Sequence, residues 1–270
     1  MVQVPHAPPR VVDEIACRGL IFLLYALEFF PYAEYSQPDA LSMVPALSQE
    51  FFQLRERAAR ENLESRQREA AQHGLALEIL LKTGTPVYSE ILAAAADIQP
   101  QLIIMGRRGK SGLERLLVGS VTARVIGHTA HPVLVVPRNA VLSFQNLLVA
   151  SDGSPASQAA WELALGLAKN TGGRLTAVTA GYGELDPKRA KALVRELAAA
   201  AKKQDVPLLP LTPGGRPEEA IIEVAAAKHT DLIIMGSYGR TGLKRLFMGS
   251  VAERVIGQAT CPVLVVKGTE

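Results

Sequence analysis

The sequence has few cysteines: Cys17 and Cys261 are the only two in 270 residues. They form no CxxC pair, so neither a disulfide framework nor a cysteine-based metal site is available, and both read as inert thiols of a reducing compartment. His128, His131 and His229 show no metal-ligand spacing. Aromatics make up 5% of the chain with a single tryptophan; Trp161 sits among leucines and reads as core of a helix. Twenty-nine cations face 26 acidic residues, a net +3, with no dense Lys/Arg block, which disfavours a dedicated nucleic-acid binder. No apolar run reaches the roughly 20 residues that cross a bilayer. The longest, "GLIFLLYALEFF" at 19–30, follows Arg10 and Arg18 as a signal segment would, but it reads as a buried strand. No nucleophile, base and orienting group come together, and no GxxxxGK[ST] loop is present.

What is present is a duplication. Residues 106–127, "GRRGKSGLERLLVGSVTARVIG", return at 236–257 as "GSYGRTGLKRLFMGSVAERVIG". Over 102–137 and 232–267, 22 of 36 positions are identical. A spacing of 130 residues is far too long for a solenoid unit of about 20–50, so two domains are expected, 1–138 and 145–270. The composition, 48% apolar and 20% charged, suits globular domains that bury real cores. "RNAVLSFQ" (138–145) reads as a short linker that keeps the domains side by side.

The second repeat alternates strand and helix. "NLLVAS" is a strand. Ser154 caps the next helix, Pro155 takes its first position, and Gly172-Gly173 ends it. "RLTAVTA" is a strand, and Asp186-Pro187 opens another helix. "VPLLPLT" is a strand weakened by prolines, "PEEAIIEVAAAKH" a helix, "DLIIMG" a strand, "GSVAERVIGQA" a helix and "CPVLVVK" the last strand. Such alternation predicts an α/β fold with a parallel sheet of about five strands flanked by helices. The first repeat ends the same way. Before that it supplies a long helix over roughly 47–73, a strand in "LALEILLKTG" and a helix in "PVYSEILAAAADI". Its beginning is short. Only "VQV" (2–4) offers a stub of an opening strand and "RVVDEIACR" (10–18) a shortened helix.

Both repeats carry Gly-x2-Gly-x9-Gly-Ser: Gly106, Gly109, Gly119 and Ser120, then Gly236, Gly239, Gly249 and Ser250. Glycines admit close backbone approach and positive φ. Loop N–H groups form an anion nest. The last Gly-Ser opens a helix, so free N–H groups, the positive dipole end and a hydroxyl converge. That combination suits a phosphate at the carboxyl end of the fourth strand, where ligands sit in open α/β sheets. A glycine loop that only turns the chain is the competing reading.

"DLIIMGSYGRTGLKRLFMGSVAERVIGQATCPVLVVK" resembles the carboxyl-terminal half of universal stress protein domains, and "NLLVASDGSPASQAAWELALGLA" resembles their opening strand, Asp-containing loop and first helix. The resemblance covers 145–270 and about 19–137. It implies two tandem Rossmann-like domains of the adenine nucleotide alpha hydrolase-like kind, the first with a truncated start, and a member of the ATP-binding type. By that resemblance Asp152 and Val178 meet the adenine side, Met235 and Gly236 flank the nucleoside, Gly239 and Gly249 meet the phosphates, and Ser250 and Val251 hold the phosphate end. Met105, Gly106, Gly109, Gly119, Ser120 and Val121 match in the first repeat, but "VQVPHAPPR" offers no aspartate there.

The ligand implied is ATP or another adenine nucleotide, with or without Mg2+, in a cytoplasmic stress-response regulator. A slow ATP hydrolase, or other ATP-consuming enzyme, and an interaction module with a vestigial motif stay open. "SDGS" resembles the SGGxDS loop of ATP pyrophosphatases only loosely, since the double glycine and the Asp-Ser are absent. Arg107, Arg108, Lys110, Arg240, Lys244 and Arg245 are candidates to steer phosphate, and Thr241 and Ser250 are candidate autophosphorylation sites by resemblance. Three expectations follow. Gly249→Val abolishes binding at a 1:1 site, because its side chain fills phosphate space and disfavours positive φ. The apolar edges "PVLVV" (132–136 and 262–266) pair within the chain, or between two copies in a homodimer. The first domain binds more weakly than the second.

Overall fold

A computed structural model describes residues 21–27, 44–107, 118–183, 185–239 and 248–268. The expectations for "VQV", "RVVDEIACR", Cys17, Gly109, Arg108, Lys110, Arg240, Thr241, Lys244 and Arg245 lie outside them. The first repeat runs β1 (Ile21–Leu27), α1 (Val44–Gln72), β2 (Leu77–Thr83), α2 (Val87–Ile98), β3 (Ile103–Gly106), α3 (Ser120–His128), β4 (Val133–Val136). The second runs β5 (Asn146–Ala150), α4 (Pro155–Thr171), β6 (Arg174–Val178), α5 (Pro187–Lys202), β7 (Leu208–Leu211), α6 (Pro217–Ala227), β8 (Leu232–Gly236), α7 (Ser250–Gln258), β9 (Val263–Val266).

Local signals explain the second repeat. Ser154 Oγ accepts the Ser157 N–H at the start of α4, with Pro155 at the first position, and Gly172 closes the helix at φ 69°. A left-handed residue at that end is cheapest as glycine. Asp186 accepts from the N–H groups of Lys188 and Arg189 to open α5. β7 holds Pro210 and forms the sheet's edge, where a strand proline loses least.

The sheets differ from two separate five-stranded ones. Seven strands form one sheet in the order β3-β4-β9-β8-β5-β6-β7, and β1 and β2 pair parallel in a sheet of their own. In the second repeat β5 lies between β8 and β6, bonded to both. Among the described residues no strand takes that place between β3 and β1 in the first repeat, so its halves belong to different sheets.

The repeats join where β4 meets β9, the pair of last strands expected from the two apolar edges. The pairing is antiparallel, with Val133 opposite Val265, Leu134 opposite Leu264 and Val135 opposite Val263. Leu134 and Leu264 are equivalent residues of the two repeats, so a local two-fold axis passes between them. All eight strand positions are buried. Linker residues Ala140 and Leu142 are buried too, so the linker is part of the core rather than a tether. No described helix is long and apolar enough to cross a membrane.

Candidate functional site

The order of the second repeat's strands reverses between β5 and β8. Beyond their carboxyl ends lies a cavity of about 420 Å3, at the crevice where doubly wound sheets take ligands. Asp152, Val178, Met235, Gly236, Gly239, Gly249, Ser250 and Val251 all line it, so the eight candidate residues of this repeat meet in one place. Ser237, Tyr182, Leu185, Pro217 and Ile221 line it as well. Sequence reasoning passed over these five, because nothing in the sequence assigns them to a strand end facing the same crevice.

Asp152 sits on a short loop after β5 whose shape its own side chain helps to set. Oδ1 accepts the Ser154 N–H at 3.0 Å, a local turn of the kind aspartate favours. A Cβ on Gly239 would stand 2.6 Å from Asp152 Oδ2. The carboxylate therefore packs on the glycine loop through space that no other residue at 239 leaves free. Ser154 Oγ donates to Tyr238 O at 3.5 Å, so two loops from distant parts of the repeat are tied together at the cavity.

The glycine loop closes on itself at its root. Ser237 N–H donates to Val266 O at 2.8 Å, and Gly249 N–H donates to Ser237 O at 2.8 Å. The first repeat repeats both bonds: Arg107 N–H to Val136 O at 3.1 Å and Gly119 N–H to Arg107 O at 2.9 Å. From there α7 rises with its first N–H groups free of intrahelical partners, as at every helix start. Its first intrahelical bond from the cap is Glu253 N–H to Gly249 O. Gly249 is the N-cap and offers no side chain to it, and Ser250, the first residue of α7, is exposed.

Two expectations need correction. Gly249 has φ −66° and ψ 148°, and Gly119 has φ −63° and ψ 141°. Both are ordinary extended conformations, so positive φ is no reason for glycine there. The reason at 249 is space: a Cβ would meet Ser237 O and Tyr238 Cα at 3.2 Å. Gly236 is tighter still, its Cβ position lying 2.9 Å from the backbone of Ala156 and Ser157. That glycine serves the packing of β8 on α4 as well as the cavity. Arg107 is the second correction. Its guanidinium donates to Gly257 O at 3.1 Å and Ala259 O at 3.0 Å, at the end of α7 in the other repeat. It is engaged across the domain boundary rather than committed to a phosphate at its own loop.

Met105, Gly106, Gly119, Ser120 and Val121 keep the corresponding places on β3 and α3. One neighbour differs. Ala252 lines the second cavity, whereas its counterpart Thr122 is buried and donates from Oγ1 to Gly106 O at 3.0 Å. No cluster of three or more metal-binding side chains exists among the described residues. His128 Nδ1 is bonded to Arg124 O at 2.8 Å. Burial raises the Cys261 thiol to about 11, which keeps it protonated and unreactive near neutral pH.

The model of the universal stress protein family matches twice, at residues 16–137 and 143–267. A universal stress protein of Mycobacterium tuberculosis is 28% identical over 222 residues, covering 74% of this chain and 68% of the relative. Another, of Methanocaldococcus jannaschii, is 32% identical over 146 residues, 48% of this chain and 86% of the relative. Among solved structures, a universal stress protein from Archaeoglobus fulgidus superposes with a TM-score of 0.75 over 100% of this chain and 97% of its own, at 21% identity.

Proposed function

The chain belongs to the universal stress protein family, and from that premise we propose that it is a stress-response regulator whose second domain binds ATP. The observation that carries this reading is the convergence of Asp152, Gly239, Gly249 and the start of α7 on one cavity of about 420 Å3. A helix start with free N–H groups favours anions. The glycines leave the backbone bare, where a Cβ at 239 or 249 would crowd Asp152 Oδ2 or the Ser237–Tyr238 backbone. Ser237 Oγ, buried in the same wall, has no hydrogen-bond partner among the described residues, and a buried polar group left so costs about 1–3 kcal/mol. A polyphosphate with a nucleoside attached fits this donor-rich end together with the apolar wall of Val178, Leu185, Met235 and Ile221.

In this reading the amide groups of Gly239 and of residues 250 and 251 receive the phosphates, and Asp152 accepts from the nucleoside. Domain boundaries follow the repeats, 1–138 and 145–270, and the compartment is the cytoplasm. The first domain binds more weakly, because Thr122 takes room that Ala252 leaves open and the sequence "VQVPHAPPR" offers no aspartate to match Asp152. No catalytic set accompanies the cavity among the described residues, so turnover is slow or absent.

Calorimetric titration of the full chain with ATP tests this. One site of higher affinity, lost in Gly249→Val and kept in Gly119→Val, is expected. No heat of binding, together with no nucleotide released from the purified protein by heating, overturns it. Single-turnover incubation with labelled ATP separates a regulator from a hydrolase.

A further inference from the structure

We propose that Tyr182 is a specificity-determining residue of the second-domain cavity, a platform on which the base of the nucleotide stacks. The proposal rests on the nucleotide reading above and adds what selects a nucleoside over phosphate alone. Tyr182 lines the cavity yet is 54% exposed, one of few large apolar side chains left so. Among the described residues its ring makes no ring contact and its hydroxyl no hydrogen bond. An unpartnered aromatic held at the mouth of a cavity is surface that a planar apolar ligand would cover.

The backbone beneath it is fixed. Gly181 bridges Gly214 in parallel, and its N–H donates to Pro213 O at 3.3 Å, which prolongs the β6–β7 ladder past the strands. Tyr182 then bridges Leu185 through a tight turn, with Leu185 N–H to Tyr182 O at 3.2 Å and Gly183 at φ 61°. Leu185 anchors the turn at 8% exposure. A Cβ at 181 would stand 3.0 Å from Pro187 Cα, so the turn also rests on the start of α5. The ring is therefore exposed on an anchored frame, the arrangement in which stacking loses least conformational entropy. It lies on the β6 side, with Val178 and Ala180, whereas the phosphate-binding groups lie on β8 and α7.

The phosphate end attracts any polyphosphate, so the base end must discriminate. Aromatic stacking favours a planar base and tolerates differences among bases. The class of ligand is then a nucleotide rather than an inorganic polyphosphate.

The test titrates the full chain, wild type, Tyr182→Ala and Tyr182→Phe, with ATP and separately with inorganic tripolyphosphate. Tyr182→Ala should weaken ATP about tenfold, equivalent to about 1.4 kcal/mol, and leave tripolyphosphate within twofold. Tyr182→Phe should retain ATP affinity. ATP affinity unchanged in Tyr182→Ala overturns the proposal, and so does equal weakening of both ligands, which would mark a structural effect. If the wild type binds tripolyphosphate but ATP no better, the platform is refuted while the phosphate cradle stands. If it binds neither, the nucleotide reading itself falls.

Discussion

Two glycines of one motif are glycine for different reasons, and the difference predicts different phenotypes. At 236 a Cβ would press on the backbone of Ala156 and Ser157, whereas at 239 it would press on the Asp152 carboxylate. Gly236→Ala is therefore expected to cost stability, about 1–3 kcal/mol as for other overpacked sites. Gly239→Ala should leave the melting temperature nearly unchanged but weaken ATP as much as Asp152→Ala does. Thermal melts and titrations of the three variants decide this, and a fully stable Gly236→Ala would show that β8 and α4 yield easily. The repeats also diverge at one shared arginine. Arg254 of α7 bonds Glu218 at the start of α6. Its counterpart Arg124 lies 5.0 Å from the centre of the Tyr88 ring, at the start of α2. Burial works against the charge on Glu218, but its backbone hydrogen bond and the Arg254 pair outweigh it and hold the carboxyl below the ordinary glutamate range. With the native value below the unfolded one, of about 4.3, the charged form stabilises the fold above that value. The contribution is lost as pH falls through the native value. The wild type should thus exceed Glu218→Gln in stability by a constant margin above about pH 5, and the margin should shrink below about pH 4. Urea unfolding across that range checks it, and a margin flat to pH 3 would contradict the assignment.

At the level of elements, the second repeat was legible because its signals are local. Ser154 with Pro155, and Asp186 with Pro187, mark helix starts by bonds that span three residues or fewer. β-Branched runs mark the buried strands β8 and β9. Asp186→Ala should accordingly cost about 1 kcal/mol, as the loss of a cap does, measured by denaturant unfolding. Spacing alone marked the motif members Gly236, Gly249 and Ser250, at the end of β8 and the start of α7, whereas Asp152 and Val178 were reached only through the family resemblance. What escaped reading is what depends on three dimensions. That Tyr182 and Leu185 join the cavity is set by a turn beyond β6, and that Arg107 leaves its own loop for the far end of α7 is set by how the repeats pack. The conformation of Gly249 was misread for a related reason: glycine in a sequence signals freedom of φ and absence of a side chain equally, and only the distance to Ser237 and Tyr238 separates them. In the first repeat the separate β1–β2 sheet was likewise hidden, because strand order is not written in strand composition.

The whole molecule is held across its centre by more than one device. β4 and β9 continue a single sheet through both repeats, with Leu134 against Leu264 at the axis. Each repeat also sends a cation to the carboxyl end of a helix in the other. Arg107 bonds carbonyls at the end of α7, and Lys267 Nζ donates to Gly127 O of α3 at 3.1 Å. Cations there complete free carbonyls and complement the helix dipole. The helix gripped by Arg107 is the one whose other end opens the second-domain cavity. A chain joined this way should unfold as one cooperative unit rather than two. ATP at one hundred times its dissociation constant adds about 2.7 kcal/mol to whatever unit contains the site. At about 2–4 °C per kcal/mol for a chain near this size, one transition should move upward as a whole by about 5–10 °C. Scanning calorimetry with and without ATP reads this directly. Two transitions, with ATP shifting only the one that Gly249→Val leaves unshifted, would mean that the β4–β9 pair and the two helix-end cations couple the repeats too weakly to bind their folding together.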